Sequence, residues 1–182
     1  VSRFHPAVIV SSGLALGALG YLFVVFFGSR NDLLLMLSFM FLGLSVGAAQ
    51  TISNDLILSS VPANKAGAAS AISETAYEFG TVLGTVVIGG MLTAIYRAQV
   101  MVPAGLNADA AHAAGETLGG ATAVAGQLPS DLSAELLHSA HAAFDSGVLV
   151  TATFSAVLLA VLSVFTYRML RSAPAELEKA EH

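Results

Sequence analysis

The chain has no cysteine and no tryptophan, and only 10% of its 182 residues are charged. The first absence rules out a disulfide framework and leaves the redox compartment unreadable. Scarcity of charge says more. A soluble domain carries about a quarter charged residues, whereas this chain is 55% hydrophobic with a mean hydropathy of +0.78. Its composition is that of an integral membrane chain. A soluble bundle of the same apolar segments would need a charged outer face, and these segments have none. The formal net charge of -5 says little about partners, because the acids are unevenly placed. Signature loops are missing too: there is no P-loop, no Gly-x-Ser-x-Gly, no Gly-x-Gly-x-x-Gly after a strand and no His-Glu-x-x-His. GETLGG at Gly115 to Gly120 follows no strand and is followed by no lysine. An enzyme, a bound cofactor and an ATP-driven pump are therefore unsupported, and without a basic patch so is nucleic acid. Energy for any transport must come from an ion gradient or from elsewhere.

Four stretches are long enough to span a bilayer. They are about 6–27, 33–57, 67–96 and 144–171, separated by short turns except for a long connection at 97–143, with a polar tail at 172–182. The expected fold is an all-α membrane protein with four transmembrane helices and a helical hairpin or lid outside. The first residue is Val1, and the apolar run opening at Pro6 shows no cleavage-site pattern, so it is not a signal peptide. The chain is expected to be a piece of a longer protein. Gly13 and Gly17, Gly43 and Gly47, and Gly80 and Gly84 are three Gly-x-x-x-Gly matches, each a candidate for close helix packing in lipid. The pattern is weak alone and fits generic packing as well as a specific interface. On the second span Gly43, Gly47, Gln50 and Asn54 share one face.

The third span organises the rest. On a helix turning about 100° per residue, Ser70, Glu74, Tyr77, Glu78, Thr81 and Thr85 form a polar stripe. Roughly 120° away runs a ladder of small residues, Ala69, Ser73, Ala76, Gly80 and Gly84. Ile72, Phe79, Val82, Leu83 and Val86 are left to face lipid. Counted from Lys65 at about 1.5 Å per residue, Glu74 lies about 13 Å and Glu78 about 19 Å along the helix. Glu78 is then near the middle of a hydrocarbon core of roughly 30 Å. Each acid there costs on the order of 2.5 to 3.5 kcal/mol even on a lenient insertion scale. Two on one face call for a purpose. Burial and mutual repulsion favour the protonated forms, and a bound organic cation favours the charged ones. One site can thus hold protons or a lipophilic cation, which is the core of proton:cation exchange. Tyr77 could stack on the cation, while Ser70, Thr81, Thr85, Gln50 and Asn54 would line the path. The alternative is that the acids stay protonated and hydrogen-bond a partner helix, as in a non-transporting scaffold or assembly subunit.

Arg3, Lys65, Arg168, Arg171 and Lys179 fall on one side of an alternating path, against Arg30 and Arg97 on the other. By the positive-inside rule both ends of the chain and Lys65 are cytoplasmic, and 97–143 is outside. Within 97–143, Pro129 followed by Ser130 signals a helix start. Leu132, Leu136, Ala140 and Phe144 recur every four residues, an amphipathic helix running into the fourth span. Asn107 is a candidate cap for an upstream helix. The acids Asp109, Glu116, Asp131, Glu135 and Asp145 could gather cations at an outer mouth, or simply solvate the segment. His138 and His141 offer two metal ligands with no third at a fixed spacing, so no metal site is assigned.

The stretch SVPANKAGAASAISETAYEFGTVLGTVVIGG, a long outward loop and a last helix ending in arginine occur here in that order. This order resembles the last four helices of the 14-helix drug:proton antiporters of the major facilitator superfamily, the QacA-, SmvA- and LfrA-like multidrug exporters. The resemblance implies membrane-embedded acids on the penultimate helix, matching Glu74 and Glu78, and an outer helical hairpin, matching 97–143. It implies protons and lipophilic cationic small molecules as partners, in a bacterial cytoplasmic membrane. Only four spans are present, and the superfamily's acids on early helices and its Gly-Arg-rich cytoplasmic loop are not among them. The remaining helices of the transporter would complete the pathway.

Overall fold

In a computed structural model of the chain the described residues are 6–28 and 32–180, with 6 and 172–180 described for backbone alone. Arg3 and Arg30 of the charge count lie outside them, as does the side chain of Lys179. Six α-helices and no strand occur among the described residues: α1 Pro6–Phe27, α2 Asp32–Ser59, α3 Ala66–Gln99, α4 Ala108–Glu116, α5 Leu118–Ala125 and α6 Ser130–Ala180. Four of them, α1, α2, α3 and α6, are long and apolar enough to cross a membrane. The protein is an all-α membrane protein.

Local chemistry explains where the helices start. Pro6 stands in the first turn of α1, where its missing N–H has no intrahelical partner to lose. Pro62 holds an extended backbone ahead of a short 3₁₀ turn, Ala63–Lys65, that leads into α3. Asn107 caps α4, its side-chain oxygen accepting from the Ala110 N–H at 2.8 Å. Thr117 ends α4 in an extended conformation and caps α5 by accepting from the Gly120 N–H at 3.0 Å. The segment GETLGG is therefore a helical corner. Gly120 makes it possible, since a Cβ there would lie 2.0 Å from the Ala113 carbonyl oxygen. α6 begins at Ser130, directly after Pro129, and continues without a break into the last apolar span.

The chain divides into two compact units, Val1–Gly80 with Ala152–His182, and Thr81–Thr151. The first has a core of small and hydroxyl side chains. Ala7, Val10, Ser11 and Ala18 of α1 are buried, as are Ser38 and Ser45 of α2 and Ala152, Ser155 and Ala156 of α6. Close approach follows from this choice, because in lipid it is packing and interhelical hydrogen bonds that join helices. Ser45 Oγ donates to the Gly13 carbonyl at 2.6 Å, and Ser163 Oγ donates to the Ser11 carbonyl at 2.7 Å. At Gly17 a Cβ would meet Ser45 Oγ at 2.5 Å and Leu159 Cδ1 at 3.0 Å, so α1 needs glycine there to approach α2 and α6. Near the other end of the α1–α2 pair, Phe23 and Phe41 meet edge to face at 5.5 Å.

The second unit has a core of Tyr96, Ala114, Ala121, Ala125, Leu136, Ala140 and Ala143, drawn from α3, α4, α5 and α6. Tyr96 donates its hydroxyl to the Ala114 carbonyl at 2.8 Å. Arg97 pairs with Glu116 at the surface, and the Met101 N–H is bonded to Ser139 Oγ at 2.7 Å. Gly147 lets α6 lie against α3, since a Cβ there would come within 2.6 Å of Leu92 Cδ1. The residues of the long connection thus form helices around a core of their own.

Candidate functional site

The α3 helix sets the geometry of the candidate site. In its first four turns the positions facing the first unit are Ala66, Ala69, Ser70, Ser73 and Tyr77, which are half-buried or buried. Glu74 and Glu78 are exposed, one turn apart, with about 6 Å of helical rise between them. Among the described residues no hydrogen bond or ion pair is formed by either carboxylate; the one ion pair joins Arg97 to Glu116. Thr81 and Thr85 continue along α3 as exposed residues, as do Gly80 and Gly84, where a Cβ would meet nothing within 4 Å.

The polar stripe is therefore split. Ser70 and Tyr77 form its inner edge, and the Tyr77 hydroxyl donates to the Gln50 carbonyl of α2 at 3.4 Å. Glu74, Glu78, Thr81 and Thr85 form its open edge. On α2 the Gln50 residue is exposed and Asn54 half-buried, while Gly43 and Gly47 have open space where a Cβ would be. Of the three glycine pairs only Gly13 and Gly17 have neighbours within 4 Å of a Cβ among the described residues.

Ser73 belongs by helical period to the ladder of small side chains, a placement that carries no sign of a polar role. It is 5% exposed, and its Oγ is the one buried side-chain polar atom without a hydrogen-bond partner among the described residues. Several other hydroxyls in the spans return to a carbonyl one turn back, as Ser38 does to Leu34 at 2.8 Å and Thr75 to Ala71 at 2.8 Å, and Ser45 and Ser163 reach carbonyls of α1. His138 and His141 are exposed on α6, and no group of three His, Cys, Asp or Glu gathers to hold a metal among the described residues.

Chemically, α3 offers two unpaired carboxylates on an apolar helix, beside hydroxyls and an aromatic ring. Such a face can accept protons or a cation. It offers no nucleophile activated by a base.

No family model matches the chain. It is 49% identical over 160 residues to "Multidrug efflux pump LfrA" of Mycolicibacterium smegmatis, covering 86% of this chain and 31% of that protein. It is 31% identical over 175 residues to "Methyl viologen resistance protein SmvA" of Salmonella typhimurium, covering 95% of this chain and 35% of that one. The chain spans about a third of the length of the curated relatives it matches.

Proposed function

The chain belongs to the LfrA- and SmvA-like multidrug exporters of the major facilitator superfamily, and from that membership we propose that it is the last-four-helix part of a proton-coupled exporter of lipophilic organic cations. Glu78 is the principal carrier of proton or cation and Glu74 the second, nearer the cytoplasm. Tyr77, Ser70, Thr81, Thr85, Gln50 and Asn54 line the path, and Gly80 and Gly84 let a neighbouring helix slide. The setting is a bacterial cytoplasmic membrane with both ends of this piece inside and 97–143 outside.

One observation carries the reading: the carboxylates of Glu74 and Glu78 stand exposed, and unpaired among the described residues, on a span-length helix that these residues leave largely uncovered. Leaving two acids in hydrocarbon would cost on the order of 5 to 7 kcal/mol. A protein-lined cavity removes that cost, and the rest of an exporter about three times this length can supply the cavity walls. The second relative's name speaks of methyl viologen, an organic dication, which supports cationic cargo. In a low-dielectric cavity a proton and a cationic guest compete for the same carboxylate, so loading one expels the other. That competition is the exchange step. No bond is made or broken beyond proton transfer to and from the carboxylate.

The deciding experiment is efflux of a cationic dye by the full-length protein in inverted vesicles, comparing Glu78→Gln with Glu78→Leu. Glu78→Gln is expected to end proton-driven transport while the protein still folds and inserts. If the amide supports normal transport and only Glu78→Leu fails, the acids are hydrogen-bonding partners for another helix and the carrier role is refuted.

A further inference from the structure

Gln99 and Met101, at and beyond the end of α3, and Glu135, His138, Ala142 and Ala143 of α6 line an open-mouthed surface cavity of about 290 Å³ within the second unit, all but Ala143 of these six being exposed. Its walls are held in place: Met101 is tied by its N–H to Ser139 Oγ, and Ala143 belongs to the buried core. The lining is mixed. Met101, Ala142 and Ala143 bring apolar groups to it, and Gln99, Glu135, His138 and Ser139 bring polar ones.

Charge selects the guest. Between Ala98 and Ala143 the sequence has four acids, Asp109, Glu116, Asp131 and Glu135, and no lysine or arginine. Glu116 is spent on Arg97. Glu135 has neither an ion pair nor a hydrogen bond among the described residues, so the only full charge on the lining when His138 is neutral is one negative charge. One acidic residue among methionine and alanine in the same lining suits a cation with an apolar body. The volume is at the lower end of ligand cavities, about the size of a one-ring guest.

We propose that this cavity is a second binding site for small lipophilic organic cations, outside the membrane-spanning part and separate from Glu74 and Glu78. The proposal rests on the transport reading for the source of its ligand, while its chemistry rests on the cavity alone. Such a site would hold a cation weakly, because its carboxylate is exposed and screened by solvent. Weak hold at an outer station favours release over retention.

The test uses the full-length exporter in nanodiscs, with binding of benzyltrimethylammonium followed by ligand-observed nuclear magnetic resonance. Glu74→Gln with Glu78→Gln removes the membrane acids and defines the background. Residual binding is expected there, weakened about two- to fivefold by Glu135→Gln, as suits a solvent-screened charge contact. Ala142→Leu, which fills the cavity without altering charge, is expected to weaken it as well. Neopentylbenzene, the neutral carbon analogue, should be insensitive to Glu135→Gln. Absence of residual binding, or residual binding indifferent to both Glu135→Gln and Ala142→Leu, overturns the proposal. Vesicle efflux of the Glu78→Gln protein is read separately: normal efflux there refutes the membrane carrier and leaves the Glu135 result standing.

Discussion

Gly17 gives the most demanding test of how the helices are joined. Replacing it with alanine places a methyl group 2.5 Å from Ser45 Oγ, 3.0 Å from Leu159 Cδ1 and 3.3 Å from Ser45 Cβ. The hydroxyl must rotate away, and its bond to the Gly13 carbonyl is lost. Interhelical hydrogen bonds in membranes contribute about 0.6 kcal/mol, with a maximum near 1.7. Overpacking against Leu159 adds about 1 to 3 kcal/mol. Alanine's better helix propensity returns about 1 kcal/mol, so the net cost is roughly 1 to 4 kcal/mol. Gly13→Ala is the control, because its methyl would meet nothing nearer than the Ala49 nitrogen at 3.6 Å, an ordinary contact. The assay is unfolding of the full-length protein in mixed micelles with increasing sodium dodecyl sulfate. It is followed by the thiol reactivity of a cysteine placed at Ala156, which is 2% exposed. Adding Ser45→Ala to Gly17→Ala should cost little more, since the bond to Gly13 is already lost and the nearest clashing atom leaves with the hydroxyl, while the contact with Leu159 stays. Equal stability of the two glycine variants, or a Ser45→Ala cost as large in the Gly17→Ala background as alone, would refute the packing argument.

Tyr96→Phe removes the hydroxyl bonded to the Ala114 carbonyl in a core where Tyr96 is 2% and Ala114 0% exposed. A cost of about 1 to 3 kcal/mol is expected for the orphaned acceptor, read as faster amide exchange across 108–125. Ser73→Ala deletes a buried hydroxyl that has no partner among the described residues, so stability in the same micelle titration should be unchanged or slightly raised; a loss above about 1 kcal/mol would show that the hydroxyl is bonded in the complete protein.

Much of this architecture is written in short-range signals. Apolar length marks α1 and α2, Pro129 with Ser130 marks the start of α6, and Asn107 marks that of α4. The glycine pairs show where such reading ends. Gly13 with Gly17 and Gly43 with Gly47 have identical spacing, yet Gly17 is pressed against Ser45 and Leu159 while Gly43 and Gly47 have open space beside them. Which face meets a neighbour depends on residues distant in the chain, and no local pattern carries that. The same holds for Gly120 and Gly147, whose need for glycine comes from Ala113 and from Leu92. At the candidate site, periodicity placed Ser70, Glu74, Tyr77 and Glu78 on one stripe. The division of that stripe into an inner edge at Tyr77 and an open edge at the glutamates follows from the position of Gln50 on another helix.

The unbroken course of α6 has a consequence for how this segment can change. Along one helix, Leu136, Ala140, Ala143 and Thr151 are buried in the second unit and Ala152, Ser155 and Ala156 in the first. A single codon inserted near residue 150 would turn one set of inward side chains by about 100° away from the other and displace it by about 1.5 Å. No loop lies between the two sets to absorb the slip, whereas the junctions around 60–65, 100–107 and 126–129, where the backbone leaves the α-helical path, can take up a change of length.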